Sequence, residues 1–369
     1  MTDLADQHTT TDGRSVNTAM SQILDGDGTL SCDSSAVDPA LVRELYRDMV
    51  LARRFDQEAI HLQRQGELGL WLSCRGQEAA QVGSMHALRA TDHVFPSYRE
   101  HASALCRGIT PAEQLSQWRG TAHSNWNPDD YNFHITSLVL STQLLHATGY
   151  ALGVAADRRR DPEIDEVVMC YFGDGSASQG DANEAFNWAA VHDAPILFFC
   201  QNNQWAISTP SIQQSRTPIH VRARGFGLTV TLVDGNDVLA VHAATTAAAQ
   251  RIRNGGPPEL IEAITYRIAG HSTSDDPKRY RDDDELHLWE DRDPLTRVRR
   301  LLDETGWADS DYHAALEADA IALAELTRAS CLALDAPPLE DSFRHTLAQE
   351  TAAIRHEREA FSAWRESFV

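Results

Sequence analysis

Two apolar runs constrain the fold of this chain more than any other feature. Residues 167–172 (VVMCYF) and 196–200 (ILFFC) show no alternation between apolar and polar side chains. A strand that is apolar on both sides is covered on both sides, which is the condition of strands in parallel sheets flanked by helices. Residues 181–192 between them suit a helix, with Ala185, Trp188, Ala189 and His192 spaced along one side. Two further strands are expected at about 228–233 and 259–268, separated by an alanine-rich helix over about 237–253. Strands alternating with helices imply an α/β fold: a parallel sheet with right-handed crossovers.

The flanking sequence divides around this unit. Residues 1–37, rich in Thr, Ser, Asp and Gly, read as a mobile N-terminal extension. The α/β domain is expected over 38–293. It begins with a helix over 39–65, N-capped by Asp38, with Leu41, Leu45, Met49, Ala52, Phe55 and Ile60 at helical spacing. Helices are also expected at 77–88, 111–118 and 142–157, with a loop over 119–132. Residues 294–369 form a charged, helical C-terminal region, interrupted by Pro337-Pro338.

Charge and composition narrow the chemistry. The 369 residues carry 32 Lys+Arg against 54 Asp+Glu, a net charge of −22. That balance argues against a nucleic-acid partner and against binding anionic lipid, both of which need a basic face. The only lysine is Lys278, between Pro277 and Arg279 in a charged, solvated setting. A Walker A loop, a Schiff-base lysine and a lipoyl- or biotin-carrier lysine are thereby set aside. The six cysteines contain no C-x-x-C pair and read as reduced thiols rather than a disulfide framework or a structural zinc site. No apolar run approaches 18 residues and the N-terminus resembles neither a secretory signal nor a transit peptide, so a cytoplasmic protein without membrane contact is expected.

The unit that carries chemistry is strand–Gly173-Asp174-Gly175–helix–strand–Asn202-Asn203. In a right-handed crossover both strands end on the same sheet edge, so the Asp174 carboxylate and the Asn203 amide oxygen converge there. Hard oxygen ligands of this kind suit magnesium or calcium, and two are too few for a private cage. Such a site borrows oxygens from phosphates, and small glycines ahead of a helix N-terminus let an anion approach the backbone. A diphosphate held through a divalent metal is the expectation. Gly26-Asp27-Gly28 has neither a preceding strand nor a following Asn-Asn and reads as a plain loop. A Rossmann site would need a glycine where Ser178 stands.

The span 173–203, GDGSASQGDANEAFNWAAVHDAPILFFCQNN, resembles the thiamine-diphosphate motif that opens with GDG and closes with NN. With QWAISTP following, the chain is similar to the α subunit of 2-oxo acid dehydrogenase E1 components over about residues 40–300. Supporting stretches are MVLARRFDQEAIHLQRQGELG (49–69), RGQEAAQVGS (75–84), VFPSYREH (94–101) and AGHSTSDDPKRYR (269–281).

The resemblance implies a thiamine-diphosphate-binding fold and the following roles. Asp174, the Asn203 side chain and the Trp205 carbonyl would bind magnesium. Gly175 and Ser176 would contact the diphosphate through the loop backbone, and Tyr98 and Arg99 would grip it. Gln201 stands where branched-chain relatives often place an arginine, leaving one phosphate charge without that partner. Around residues 136–140 the family places its aminopyrimidine contacts, with Leu138 contributing main chain and Leu140 as the apolar wedge that bends thiamine into its V shape. Ser137, Thr142 and Gln143 align with a potassium site of some relatives. His271 is the acid–base candidate that steadies the intermediate during reductive acylation of lipoamide. Ser272 and Ser274 match loop serines modified by kinases in some mitochondrial relatives, and read here as unmodified serines that order the loop.

The implied partners are an E1 β subunit, in an α₂β₂ heterotetramer whose β chain supplies the activating glutamate, the lipoyl domain of the E2 acyltransferase, and a small 2-oxo acid. The HSTSDD sequence leans toward branched-chain 2-oxo acids, with pyruvate or acetoin as alternatives. A nicotinamide oxidoreductase lacks its Gly-rich turn here, and intact Asp174, Asn203 and His271 speak against a catalytically dead paralogue.

Overall fold

A computed structural model describes residues 19–122, 126–344 and 346–368. Its centre is a five-stranded sheet in the order β1-β2-β3-β7-β6, with every neighbouring pair parallel. The strands are β1 (His93–Phe95), β2 (Val168–Gly173), β3 (Ile196–Asn202), β6 (Thr229–Asp234) and β7 (Glu259–Ile264); a small antiparallel hairpin, β4 (Trp205–Ala206) and β5 (Thr209–Pro210), follows β3.

The unbroken apolar runs have the expected cause. Along β2, Val168, Cys170 and Phe172 join a core shared with the helices Thr142–Arg158 and Gly180–Val191. Met169 and Tyr171 point into a second core with Val241, Ala248 and Ile252 of the helix Val238–Arg253. Both sheet faces are therefore covered, and β2 and β3 are buried along almost their whole length. The Gly180–Val191 helix buries Ala182, Ala185, Phe186 and Ala189, whereas Trp188 is 50% exposed. The face drawn from Trp188 and His192 is thus corrected: the small alanines, together with Phe186, let this helix lie close to the sheet.

The mobile-extension reading is corrected for residues 19–37. Ser21 pairs with β6 through Ser21 N–Leu232 O at 2.9 Å and Asp234 N–Ser21 O at 3.0 Å. Leu24 is fully buried, and the backbone amides of Ile23 and Leu24 donate to Asp237 Oδ2 at 2.6 and 2.7 Å. The other Asp237 oxygen caps the Val238–Arg253 helix through Leu239 and Ala240. One carboxylate thus satisfies four backbone N–H groups, which is why a polar, glycine-containing segment docks at all. Residues 1–18 lie outside the described residues, as do 123–125 of the expected 119–132 loop. That loop contains a short helix, Pro128–Tyr131.

The C-terminal helices Pro294–Thr305 and Ser310–Leu332 pack on the long Pro39–Arg64 helix around Leu45, Met49, Val298, Leu302 and Leu316. Arg297, fully buried, holds Asp234 at 2.8 Å and the Leu24 carbonyl at 3.0 Å. This part of the tail shares a core with the sheet domain. The last helix, Ala352–Glu366, has no buried residue.

Candidate active site

The site lies at the carboxyl edge of the sheet. Asp174 follows β2, Asn203 follows β3, and the segment after β7 brings Arg267 and His271 to the same edge. Asp174 is buried, and burial raises its carboxyl above the usual range, opposed by hydrogen bonds from Gln214 and Ser211. Ser211 Oγ and Gln214 Nε2 both donate to its Oδ2 at 2.9 Å. Asn203 donates through Nδ2 to Gln77 Oε1 at 2.7 Å, which fixes the amide so that its oxygen is the remaining acceptor. That oxygen already takes the Trp205 amide at 3.3 Å.

The turn after Asp174 is cramped. A Cβ on Gly175 would sit 2.9 Å from Ala206 Cβ of the β4–β5 hairpin, so only glycine leaves the hairpin in place. Residues Ser176–Ser178 form a single 3₁₀ turn before the helix begins at Gly180. Among the described residues, the amides of Gly175, Ser176 and Ala177 donate to no backbone carbonyl. Three N–H groups at a helix entrance are the donors an anion needs. Ser141 braces this turn: its Oγ donates to the Ser176 carbonyl at 2.7 Å, and its backbone is left-handed at φ 72°. Having spent its hydroxyl there, Ser141 makes no cap to the helix it precedes, forgoing about 1 kcal/mol.

Two buried guanidinium groups stand at the same edge. Arg99 donates to the Ser73 carbonyl at 2.6 Å and to the His271 carbonyl at 2.9 Å. Arg267 donates to the Trp205 carbonyl at 3.1 Å, the Ile207 carbonyl at 2.7 Å and Tyr280 Oη at 2.8 Å. Neither arginine forms an ion pair among the described residues; carbonyl and hydroxyl oxygens and the His271 imidazole nitrogen are their partners. Burial, and then Arg99, lowers Arg267 to about 10. His271 Nδ1 lies 3.4 Å from Arg99 and 3.5 Å from Arg267. Burial first, then these two cations, lower His271 to about 4, so its imidazole is neutral at pH 7. Tyr98 meets the His271 ring edge to face at 6.3 Å between centroids.

Tyr98, Arg99, Asp174, Gly175, Ser176, Asn203, Trp205 and His271 thus gather on one edge. The other expected residues sit differently. Gln201, at the end of β3, is buried: its oxygen accepts from Gln77 and Gln81 at 2.9 and 3.1 Å, and its Nε2 donates to Glu100 at 2.6 Å. Leu138 is 54% exposed beside Val139, and Leu140 is half-buried. Gln143 is buried and anchored to the Tyr171 carbonyl at 3.0 Å, with its own oxygen lacking a partner; Ser137 and Thr142 are half-buried.

Arg267, Ser141 and Asp56 were not legible as site residues. Asp56 holds the segment that presents Ser73 to Arg99, accepting from Trp71 Nε1 at 2.8 Å, Ser73 Oγ at 2.6 Å and the Cys74 amide at 3.1 Å. Ile207 offered a different signal only after folding: a β-branched residue at φ 54°, strained, with its carbonyl taken by Arg267.

A doubly covered parallel sheet with buried arginines at its strand ends places the chain among α/β folds of the kind that bind ligands at the carboxyl edge of the sheet. A family model described as "Dehydrogenase E1 component" matches residues 46–329, and the chain belongs to that family. It is 43% identical over 328 residues to the 3-methyl-2-oxobutanoate dehydrogenase subunit alpha of Mycobacterium tuberculosis (strain ATCC 25618 / H37Rv), covering 87% of each chain. It is 37% identical over 299 residues to the mitochondrial 2-oxoisovalerate dehydrogenase subunit alpha 2 of Arabidopsis thaliana, covering 78% of this chain and 62% of that one. With the mitochondrial 2-oxoisovalerate dehydrogenase subunit alpha of Mus musculus the identity is 39% over 293 residues, 75% of this chain and 65% of the relative. The chain therefore spans somewhat under two thirds of these mitochondrial relatives.

Proposed function

We propose that the chain is the α subunit of a thiamine-diphosphate-dependent E1 component that decarboxylates a branched-chain 2-oxo acid and passes the acyl group to a lipoyl domain. The observation that carries this reading is the pair of buried arginines without ion pairs, held at the same sheet edge as a carboxylate, an amide oxygen and a run of backbone N–H groups. Cations and oxygen donors gathered at one edge suit a diphosphate together with a magnesium ion. The relatives' names support a branched-chain substrate.

The residues fit the cofactor. Asp174 carries the one charged ligand, and a dication beside it would offset the burial that raises its carboxyl. The Asn203 oxygen, oriented by Gln77, and the Trp205 carbonyl would complete the protein's share of the magnesium site. Arg99 and the amides of Gly175 and Ser176 would hold phosphate oxygens, with Arg267 in reach of the same crevice; Gln201, bonded to Glu100, would act only by bracing Gln77. When bound, thiamine diphosphate supplies the nucleophilic carbon and the electron sink for decarboxylation. Neutral His271 would hydrogen-bond the 2-oxo acid and donate or accept one proton at an imidazole nitrogen. Leu138 and Val139, both exposed, would be covered by an E1 β subunit in an α₂β₂ assembly. The partnerless Gln143 oxygen is the group that would favour potassium beside Ser137 and Thr142.

The test is a decarboxylation assay of the chain co-expressed with its β subunit, using 2-oxoisovalerate, 4-methyl-2-oxopentanoate and pyruvate. Turnover of the two branched acids well above pyruvate is expected, with almost none from the α chain alone. Preference for pyruvate would overturn the substrate assignment, and full activity of the isolated chain would overturn the shared site.

A further inference from the structure

Away from the cofactor crevice, three helices bring together a side-chain cluster that the proposed reaction does not use. Asp48 comes from Pro39–Arg64, His86 from the last position of Glu78–His86, and Cys106 from the last position of His101–Cys106. One ligand atom from each lies within 4.8 Å of the other two. His86 Nε2 is 2.8 Å from Asp48 Oδ2, and Cys106 Sγ is 3.9 Å from the same oxygen. Arg47 holds the other carboxylate oxygen at 3.1 Å, which turns Oδ2 toward the histidine and the thiol.

We propose that Asp48, His86 and Cys106 form a zinc site. Tetrahedral zinc with bonds of about 2.0–2.3 Å places neighbouring ligand atoms roughly 3.3–3.8 Å apart. The Cys106–Asp48 separation is already close to that span, the His86–Asp48 contact opens slightly, and the His86–Cys106 pair, within 4.8 Å, draws together. The thiol gives up its proton to solvent as the metal–sulfur bond forms. A thiolate and a carboxylate then balance the dication, so the ion enters without leaving net charge at the site. The side chains of His86 and Asp48 retain 15% and 19% exposure, which admits a water as fourth ligand. The order of contacts separates this cluster from a nucleophilic triad. There the imidazole sits between thiol and acid, whereas here the carboxylate oxygen lies between the two. The ligand set also separates it from the magnesium site, since magnesium takes oxygen and not sulfur. With one cysteine among three ligands drawn from separate segments, no spacing motif could have announced it.

The experiment uses the co-purified α and β subunits. Zinc retained after dialysis against metal-free buffer is measured by mass spectrometry, and the cobalt-substituted protein is examined for a thiolate-to-cobalt charge-transfer band. Wild type should retain one zinc per α chain and show the band. Cys106→Ser should lose the band and bind zinc at least tenfold more weakly, and His86→Gln should weaken zinc similarly. Cys32→Ser, at the exposed cysteine, should change neither. No retained zinc in wild type, or an identical zinc content and cobalt spectrum in Cys106→Ser, overturns the site. Should Cys106→Ser not fold, the wild-type cobalt spectrum decides, because a band-free spectrum excludes thiolate ligation.

Discussion

Asp174→Asn separates the cost of a metal ligand from its use. In the cofactor-free chain the carboxylate is buried, and burial raises its carboxyl; Oδ2 accepts the Ser211 and Gln214 hydrogen bonds at 2.9 Å each. An asparagine can place its amide oxygen where Oδ2 stands and keep both bonds. Losing the charge weakens each by about 1 kcal/mol, while relief from desolvation returns a few kcal/mol. The cofactor-free variant should thus unfold within about 1–2 kcal/mol of wild type, on either side. The loaded site behaves differently, because removing one member of a buried charge pair costs about 3–5 kcal/mol. At 1.4 kcal/mol per tenfold, magnesium-dependent binding of thiamine diphosphate should weaken by about 10²–10³·⁵. Calorimetric titration of cofactor with and without magnesium, alongside thermal unfolding of the cofactor-free protein, reads both quantities. Unchanged cofactor affinity would refute the metal role, and a loss of several kcal/mol in the cofactor-free state would refute the assignment of Asp174 as a ligand rather than a structural anchor.

Other residues make sharper single claims. Asp237→Ala removes the acceptor of four backbone N–H groups and should cost about 2–4 kcal/mol in denaturant unfolding, with proteolysis at residues 19–37 rising in step. His271 should titrate near 4 by NMR in the cofactor-free protein, and higher once a diphosphate screens Arg99 and Arg267. Because the unfolded chain takes that proton from about 6.5 downward, the contribution of His271 to stability should be complete above 6.5 and fade as the pH falls toward 4; a cofactor-free value near 6.5 would contradict the cationic crevice. Gly175→Ala should displace the β4–β5 hairpin, weaken cofactor binding at least tenfold and cost about 1–3 kcal/mol of stability, as measured by cofactor titration and a melting curve.

What the sequence made visible followed from local pattern. Unbroken apolar runs, an Asp38 cap and alanine spacing place β2, β3 and most helices because each signal is complete within a dozen residues. Strand β1 escaped notice since three residues carry no period, and the His101–Cys106 helix since it has no side-chain cap. The docking of residues 19–37 depends on Asp237, more than two hundred positions away, and polar composition gives no hint of it. At the site, Asp174 and Asn203 were legible because a crossover fixes both to one edge. Arg267 was not, since nothing in its own neighbourhood distinguishes a buried guanidinium from a solvated one. For Gln201 the family position names a role, while its bonds to Gln77, Gln81 and Glu100 depend on segments about a hundred residues away and leave no local signal.

The loop that carries His271 is closed by a set of short tethers. Thr273 N meets the Trp71 carbonyl at 2.9 Å, His271 N meets Asp275 Oδ2 at 2.7 Å, and Arg281 reaches the Ile268 carbonyl at 2.7 Å. The sole lysine, Lys278, is exposed within those tethers. A lysine-specific endoprotease therefore has one cutting site in the entire chain, and although the side chain is exposed, the Pro277–Arg279 turn must unwind before its backbone can lie extended in a protease cleft. The cleavage rate of the native protein becomes a built-in clock for loop opening, read from a gel without any engineered label.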